Sequence, residues 1–303
     1  MRIINPSFEI WQQEPGLAGV YRQIERVGRV CYKSEDHATA TSAQPFVERM
    51  IKNEHFAMLE HGTVYLLFDA DNNGMEQPWQ FYSANKFSQC VVDSGKAYVT
   101  TNLRVLAENH RLADLQNFWS EPLPLHPVRV TVHFSTQIAI TREFNRHRAN
   151  SMAEQSTRYC NYSRDKFGNE ITVNLPTWVK HEMTGSGWSG SVNGGELKVS
   201  GQQFMELARK VADGSASMLD NWVFANLAAE KSYMNLISSG RKPQEARVVL
   251  PLDTATELVH TAFVSDWKHF FDLRALGTTG QPHPDAKAIA LPLFEEFKSK
   301  GWL

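Results

Sequence analysis

The segment VRVTVHFS, residues 128–135, alternates apolar and polar side chains without a break. Val128, Val130, Val132 and Phe134 fall on one face, and Arg129, Thr131 and His133 on the other. A period of two specifies a strand with one buried face. TQIAITREFN follows as a short helix that delivers the chain to Arg146. HGTVYLLFDA and TELVHTAFV read as further strands, rich in β-branched and aromatic residues. Strands and helices mix without regular βαβ alternation, so the pattern favours an α+β fold over a doubly wound sheet.

The helices carry their own punctuation. Thr41 to His55 reads as a helix capped by Ser42, with Pro45 in its first turn and a stripe of Phe46, Val47, Met50 and Ile51. GQQFMELARKVADGSASMLDNWVFANLA is a long helical pattern with a weak point at Gly214. KPQEARVVLP starts with a proline suited to a helix N-terminus. Asp266 is expected to cap a helix WKHFFDLRAL that stops at Gly277. The last helix, HPDAKAIALPLFEEFKSKG, has Pro284 near its start and an expected kink at Pro292. Glu182 to Glu196 is rich in glycine and serine and reads as a flexible insertion. No repeats or domain boundary stand out, so residues 1–303 are expected to form one domain.

At 303 residues and 42% hydrophobic content the chain can bury a sizeable core. Its net charge of −2 gives no general attraction to nucleic acid or anionic membrane, so any anion must be caught by a local cluster of cations. Cys31, Cys90 and Cys160 form no CxxC pair, and an odd number suits a reducing cytoplasm better than a disulfide framework. No run of about 18 apolar residues suggests a membrane span, and MRIINPSFEIW lacks the apolar centre of a signal peptide.

Such a cluster exists in NRHRANSMAEQSTRY, Asn145 to Tyr159, directly after the strand and short helix. Arg146, Arg148 and Arg158 suit phosphate oxygens, to which guanidinium groups give bidentate, charge-assisted hydrogen bonds. Glu154 can hold a guanidinium in place or accept a hydrogen bond from a ligand N–H. Ser156 offers a hydroxyl to a phosphate or a base edge. The plainer reading is a surface ion pair between Glu154 and Arg158, four residues apart, and a solvated helix end at Arg-His-Arg. A nucleotide, with an anionic end and a hydrogen-bonding ring, answers the whole set.

The order of residues resembles the motif of the flavin-dependent thymidylate synthases, Arg-His-Arg-x-x-Ser-x-Asn-Glu-x-Ser-x-Arg-Tyr. It is matched at Arg146, His147, Arg148, Ser151, Glu154, Ser156, Arg158 and Tyr159, with Ala153 in place of the usual Asn. HFAMLEHGTVYLLF is similar to the family's His-x-x-x-Leu-Glu-His segment at His55, Glu60 and His61. GRKPQEARVVLP resembles its Glu-x-Ala-Arg-x-x-Leu-Pro segment, with Arg247 as a nucleotide-binding arginine, and FFDLR its Phe-x-x-Leu-Arg, with Arg274 as a second. HPDAK stands where the family has a His-Pro-Glu-Ile-Arg type of segment.

The resemblance implies an α+β fold with a mixed, mainly antiparallel sheet flanked by helices, and insertions near 72–127 and 163–200. It implies reductive methylation of dUMP at C5, with methylenetetrahydrofolate as carbon donor, reduced FAD as hydride source and NADPH as reductant. Glu154, Ser156, Arg158, Arg247 and Arg274 are then expected to hold dUMP, and Arg158 or Arg274 to polarise a uracil carbonyl. His55, Arg146, His147, Arg148 and His269 are expected to contact FAD. In the family the flavin sits where subunits of a homotetramer meet, so one site draws on several chains. Glu143 replaces the usual Gln before Arg-His-Arg, Phe263 and Ser265 the usual Asn and Arg, and His269 another common Asn. Glu143 and Ala153 motivate an alternative, a related pyrimidine C5 hydroxymethylation or a modified nucleotide substrate.

Other chemistries fit less well. Cys160 lies close to Arg158 and invites comparison with a thiolate nucleophile, although a small core residue is the commoner role. Ser156 as a nucleophile has only His147 as a nearby base in the motif. Nucleic-acid binding predicts steep salt dependence and lacks a recognised module. The 11 histidines are scattered without a metal-ligand spacing.

Overall fold

The computed structural model describes residues 1–70, 77–185, 195 and 197–303. The Gly/Ser-rich stretch expected to be flexible therefore lies largely outside the described residues.

The N-terminal part holds β1 (Arg2–Ile4), β2 (Ser7–Trp11), α1 (Gly16–Tyr32), α2 (Ala43–Lys52) and β3 (Thr63–Asp69). Next come α3 (Pro78–Ala84), β4 (Gln89–Asp93), β5 (Lys96–Asn102), α4 (Leu103–Glu108) and α5 (Asp114–Asn117). The centre contributes β6 (Arg129–Gln137), α6 (Ile138–Phe144), β7 (Ser151–Glu154), β8 (Thr172–Asn174) and α7 (Thr177–Gly185). The C-terminal part adds α8 (Gly201–Asp213), α9 (Met218–Ser238), α10 (Pro243–Ala246), β9 (Ala255–Phe263), α11 (Val264–Phe271) and α12 (Pro284–Ser299).

Among the described residues three sheets result: antiparallel β2-β6-β9-β7, antiparallel β3-β5-β4, and a parallel pair β1-β8. The fold is α+β with mainly antiparallel sheets, as the pattern and the resemblance both implied. The expected strand 128–135 is β6, at the centre of the four-stranded sheet. Val130, Val132 and Phe134 face a core with Leu258 and Ala262 of β9 and with Trp267, Phe270, Phe271 and Phe297 of α11 and α12. Burying each such side chain stabilises the fold by roughly 1.5–3 kcal/mol. Val128, expected on the same face, lies before the strand and is exposed. The opposite face carries Trp11, Ala153 and Val259 against Val27 and Val30 of α1.

The stretch expected as a first insertion folds as α3, β4, β5, α4 and α5, and it pairs β5 with β3. Gly214 ends α8 in the left-handed region, φ 76°, so the expected weak point is a full break between two helices. Two expected caps are corrected. Ser42 has helical backbone and makes no cap; its hydroxyl donates to Glu25 Oε2 at 2.9 Å, which ties α2 to α1. Helix α11 begins at Val264, two residues before Asp266, whose carboxylate instead reaches back to the Phe263 backbone. Helix α12 runs on through Pro292. Among the described residues no helix is long and apolar enough to cross a membrane, and no group of three or more His, Cys, Asp or Glu could hold a metal ion. The three cysteines are free.

Candidate active site

Helix α6 ends at Phe144, and the chain turns sharply: His147 N–H donates to Phe144 O at 3.1 Å and Asn150 N–H to His147 O at 3.0 Å. The turn buries His147 against Phe270, ring centroids 5.0 Å apart, and leaves Arg146 and Arg148 exposed. Arg274 Nε–H donates to His147 Nε2 at 3.2 Å. That bond uses the Nε2 lone pair, so the neutral ring carries its proton on Nδ1. Burial, then the charges of Arg274, His269 and Arg146, push the His147 pKa down to about 4, so the ring is neutral at pH 7.

Arg274 is held on two further sides. Its Nη1 donates to Glu143 Oε2 at 2.6 Å and its Nη2 to Glu143 O at 2.9 Å. It sits in a π-helical turn, Asp272–Leu276, that widens the end of α11 before Gly277 closes it at φ 72°. Glu143, Arg146, His147, His269 and Arg274 line one cavity of about 730 Å³. The departure at Glu143 is thus an engaged partner of Arg274, and His269 is an exposed ring 5.6 Å from His147. Arg148 lines a different cavity of about 350 Å³, shared with Arg129 and Phe263.

β7 carries the motif onward. Glu154 accepts from Thr141 Oγ1 at 2.6 Å and Asn145 Nδ2 at 2.8 Å, so it braces α6 and the turn. Among the described residues it binds no guanidinium, and the surface pair with Arg158 of the plainer reading does not form. Beyond β7, Ser156 N–H donates to Cys31 O at 2.9 Å, and Ser156 Oγ accepts from Arg158 N–H at 3.3 Å. Arg247 Nη1 donates to Thr157 Oγ1 at 3.1 Å. Ser156, Arg158 and Arg247 therefore form a second cluster with exposed guanidinium groups. β7 joins it to the first in sequence, and Glu154 at the end of β7 bonds back to Asn145, the neighbour of Arg146.

The remaining expectations are placed as follows. His55 is exposed after α2 and makes no cap, apart from both clusters in its hydrogen bonds. Ala153 is buried among Trp11, Val27, Val30 and Val259, where an Asn would lack polar partners. Ser265 accepts from Gln89 Nε2 at 2.9 Å. Cys160 is buried, and burial raises its thiol pKa, which removes the case for a reactive thiolate. Residue spacing gave no signal for Thr141, Asn145 or Arg129. Arg129 was legible only as a residue of the polar face of β6. In the fold its guanidinium donates to Glu60 O at 2.8 Å and Ser151 Oγ at 3.0 Å.

Against this geometry, the family model of the thymidylate synthase complementing proteins matches residues 121–300. The chain belongs to this family. It is the family that the arginine-rich motif resembles, and the match takes in that motif, Arg247 and Arg274, while His55 lies outside it. The fold is also similar to two solved structures of the UMP/dUMP methylase PolB from Streptomyces cacaoi, one bound with 5-Br dUMP and one with 5-Br UMP. They are 15% and 14% identical to this chain, cover 98% of it and 93% and 91% of their own chains, and have a TM-score of 0.40. No curated protein matches the sequence.

Proposed function

We propose that the protein is a flavin-dependent thymidylate synthase that converts dUMP to dTMP, with methylenetetrahydrofolate as carbon donor and NADPH as reductant. Family membership over residues 121–300 carries the reading. FAD in its reduced form supplies the hydride when bound. The residues present suit such a group: Arg146 and Arg148 have no carboxylate partner among the described residues and open onto cavities of about 730 and 350 Å³ on the two sides of one turn. Arg146, His147, Arg148 and His269 are the side chains proposed to hold it, with His55 supplied from outside both clusters. Neutral His147 positions Arg274 through Nε2.

Arg158, Ser156 and Arg247 are proposed to take the nucleotide monophosphate, together with Glu154, which also braces α6 and Asn145. Arg274, among the flavin-side residues of its own chain, is proposed to meet the uracil ring across a subunit boundary. The family's arrangement, in which subunits of a homotetramer meet at the flavin, is proposed to bring the clusters of different chains together in composite sites.

The test is optical. Protein incubated with FAD is expected to turn yellow, bleach with NADPH, and form dTMP from dUMP and methylenetetrahydrofolate. A colourless protein that makes no thymidylate refutes the reading. The second reading, pyrimidine C5 hydroxymethylation, draws on the Glu143–Arg274 pair, which changes the hydrogen-bonding edge offered at that position. Assays of dUMP against dCMP with methyl and hydroxymethyl products resolved separate the two.

A further inference from the structure

The 350 Å³ cavity beside Arg148 is not a gap in the core sheet alone. One wall is Arg148 and Phe263 from the core, and the other is Lys86 and Phe87 from the loop after α3. That loop is held against the core by Gln89, whose amide donates to Ser265. Arg129, the first residue of β6, forms the floor, its guanidinium 5.7 Å from the Phe263 ring.

The charges in this cavity do not cancel. Lys86, Arg129 and Arg148 line it together with one carboxylate, Asp266. None of the three cations has a carboxylate within ion-pair distance in the described residues. Arg129 donates to a carbonyl and hydroxyls only, and burial pushes its pKa down to about 10, so it stays charged at pH 7. Asn102 is buried on the same lining; its Oδ1 caps α4 at 3.2 Å from Val105 N. Three cations without a carboxylate partner among the described residues, beside two phenylalanine rings, suit an anion carried on a flat ring.

We propose that the α3–β5 unit supplies a wall of a ligand site, in which Lys86 and Arg129 join Arg148 in binding the diphosphate of a nucleotide. The inference deepens the functional reading above and rests on it for the identity of the ligand, since FAD and NADPH both carry such a group. Lys86 and Phe87 set the affinity and selectivity of the pocket, and the added unit is part of the site rather than an embellishment of the fold.

Calorimetric titration of the full-length protein with ADP and with inorganic pyrophosphate at low salt tests this. Lys86→Ala is expected to weaken ADP by about three- to tenfold and Lys86→Glu by more than tenfold, the loss of a charge-assisted contact. Phe87→Ala is expected to weaken ADP but not pyrophosphate, and Arg209→Ala, on the exposed face of α8, to change neither. Lys86 is exposed, so its replacement leaves the fold intact. Displacement of bound ADP by FAD or by NADPH supports the pocket and identifies its source. Affinities for ADP equal within twofold in wild type, Lys86→Ala and Lys86→Glu overturn it. If FAD and dUMP bind the wild type normally in that case, only the pocket falls; if neither binds and no dTMP forms, the functional reading falls separately.

Discussion

Arg274 shows how one side chain is committed by its neighbours. Glu143 and His147 leave it little freedom, so the Glu143–Arg274 pair is expected to couple by about 1–2 kcal/mol in a double-mutant cycle with Glu143→Gln and Arg274→Ala. A coupling near zero, measured by denaturant unfolding, means the pair is absent in solution. His147, His61 and His260 are all buried, with pKa values pushed down by burial to about 4, about 3 and about 3. Below pH 6.5 the unfolded chain binds protons that the folded chain refuses, so stability is complete above about pH 6.5 and falls as pH drops toward 4. Each such histidine contributes a slope of about 1.4 kcal/mol per pH unit in that window. Melting curves at constant ionic strength from pH 7.5 to 4.5 read this directly, and a flat profile contradicts the burial. Ala153→Asn, which restores the family's usual residue, is expected to destabilise by about 1–3 kcal/mol because its amide enters an apolar cluster. A neutral or stabilising change refutes that placement.

At the level of elements, what was legible followed periodicity. β6 was readable because its alternation is unbroken, and β9 because β-branched residues crowd TELVHTAFV. The break at Gly214 was readable because only glycine adopts that backbone cheaply. The caps at Ser42 and Asp266 were misplaced for a shared reason: both polar side chains found partners other than the helix N–H groups expected of them. The π-helical turn carrying Arg274 had no signal in the residues, because one extra residue in a turn leaves the composition unchanged. Gly277 closes that turn at positive φ, and a Cβ there would lie 2.9 Å from Gly280 O and from Pro282 Cδ. Gly277→Ala is therefore expected to cost about 1–2 kcal/mol and to loosen Arg274, with anion binding weakened more than in Gly214→Ala. Equal effects of the two substitutions on binding, by calorimetry, exclude a special role for the π turn.

For the whole molecule, the arginine-rich motif divides into two clusters on the two sides of β7. Residue types and order were enough to name the family, since the motif is local. They were not enough to place Arg247 beside Thr157, or Arg274 beside His147, because those pairings are made by long-range packing of β9 and α11. Nor did they reveal Arg129, whose importance comes from its lack of a carboxylate partner in three dimensions. The proposed composite site makes assembly a condition of activity, so a single-chain species in sedimentation experiments is expected to lack thymidylate formation.

The most direct test of the central claim is a titration of the visible flavin spectrum with dUMP, in wild type and in Arg247→Ala. The two clusters are proposed to meet as one site, so dUMP is expected to shift the wild-type flavin bands, and Arg247→Ala to retain flavin but need roughly tenfold or more dUMP for the same shift. A flavin spectrum indifferent to saturating dUMP, or an Arg247→Ala curve superimposable on wild type, contradicts the account.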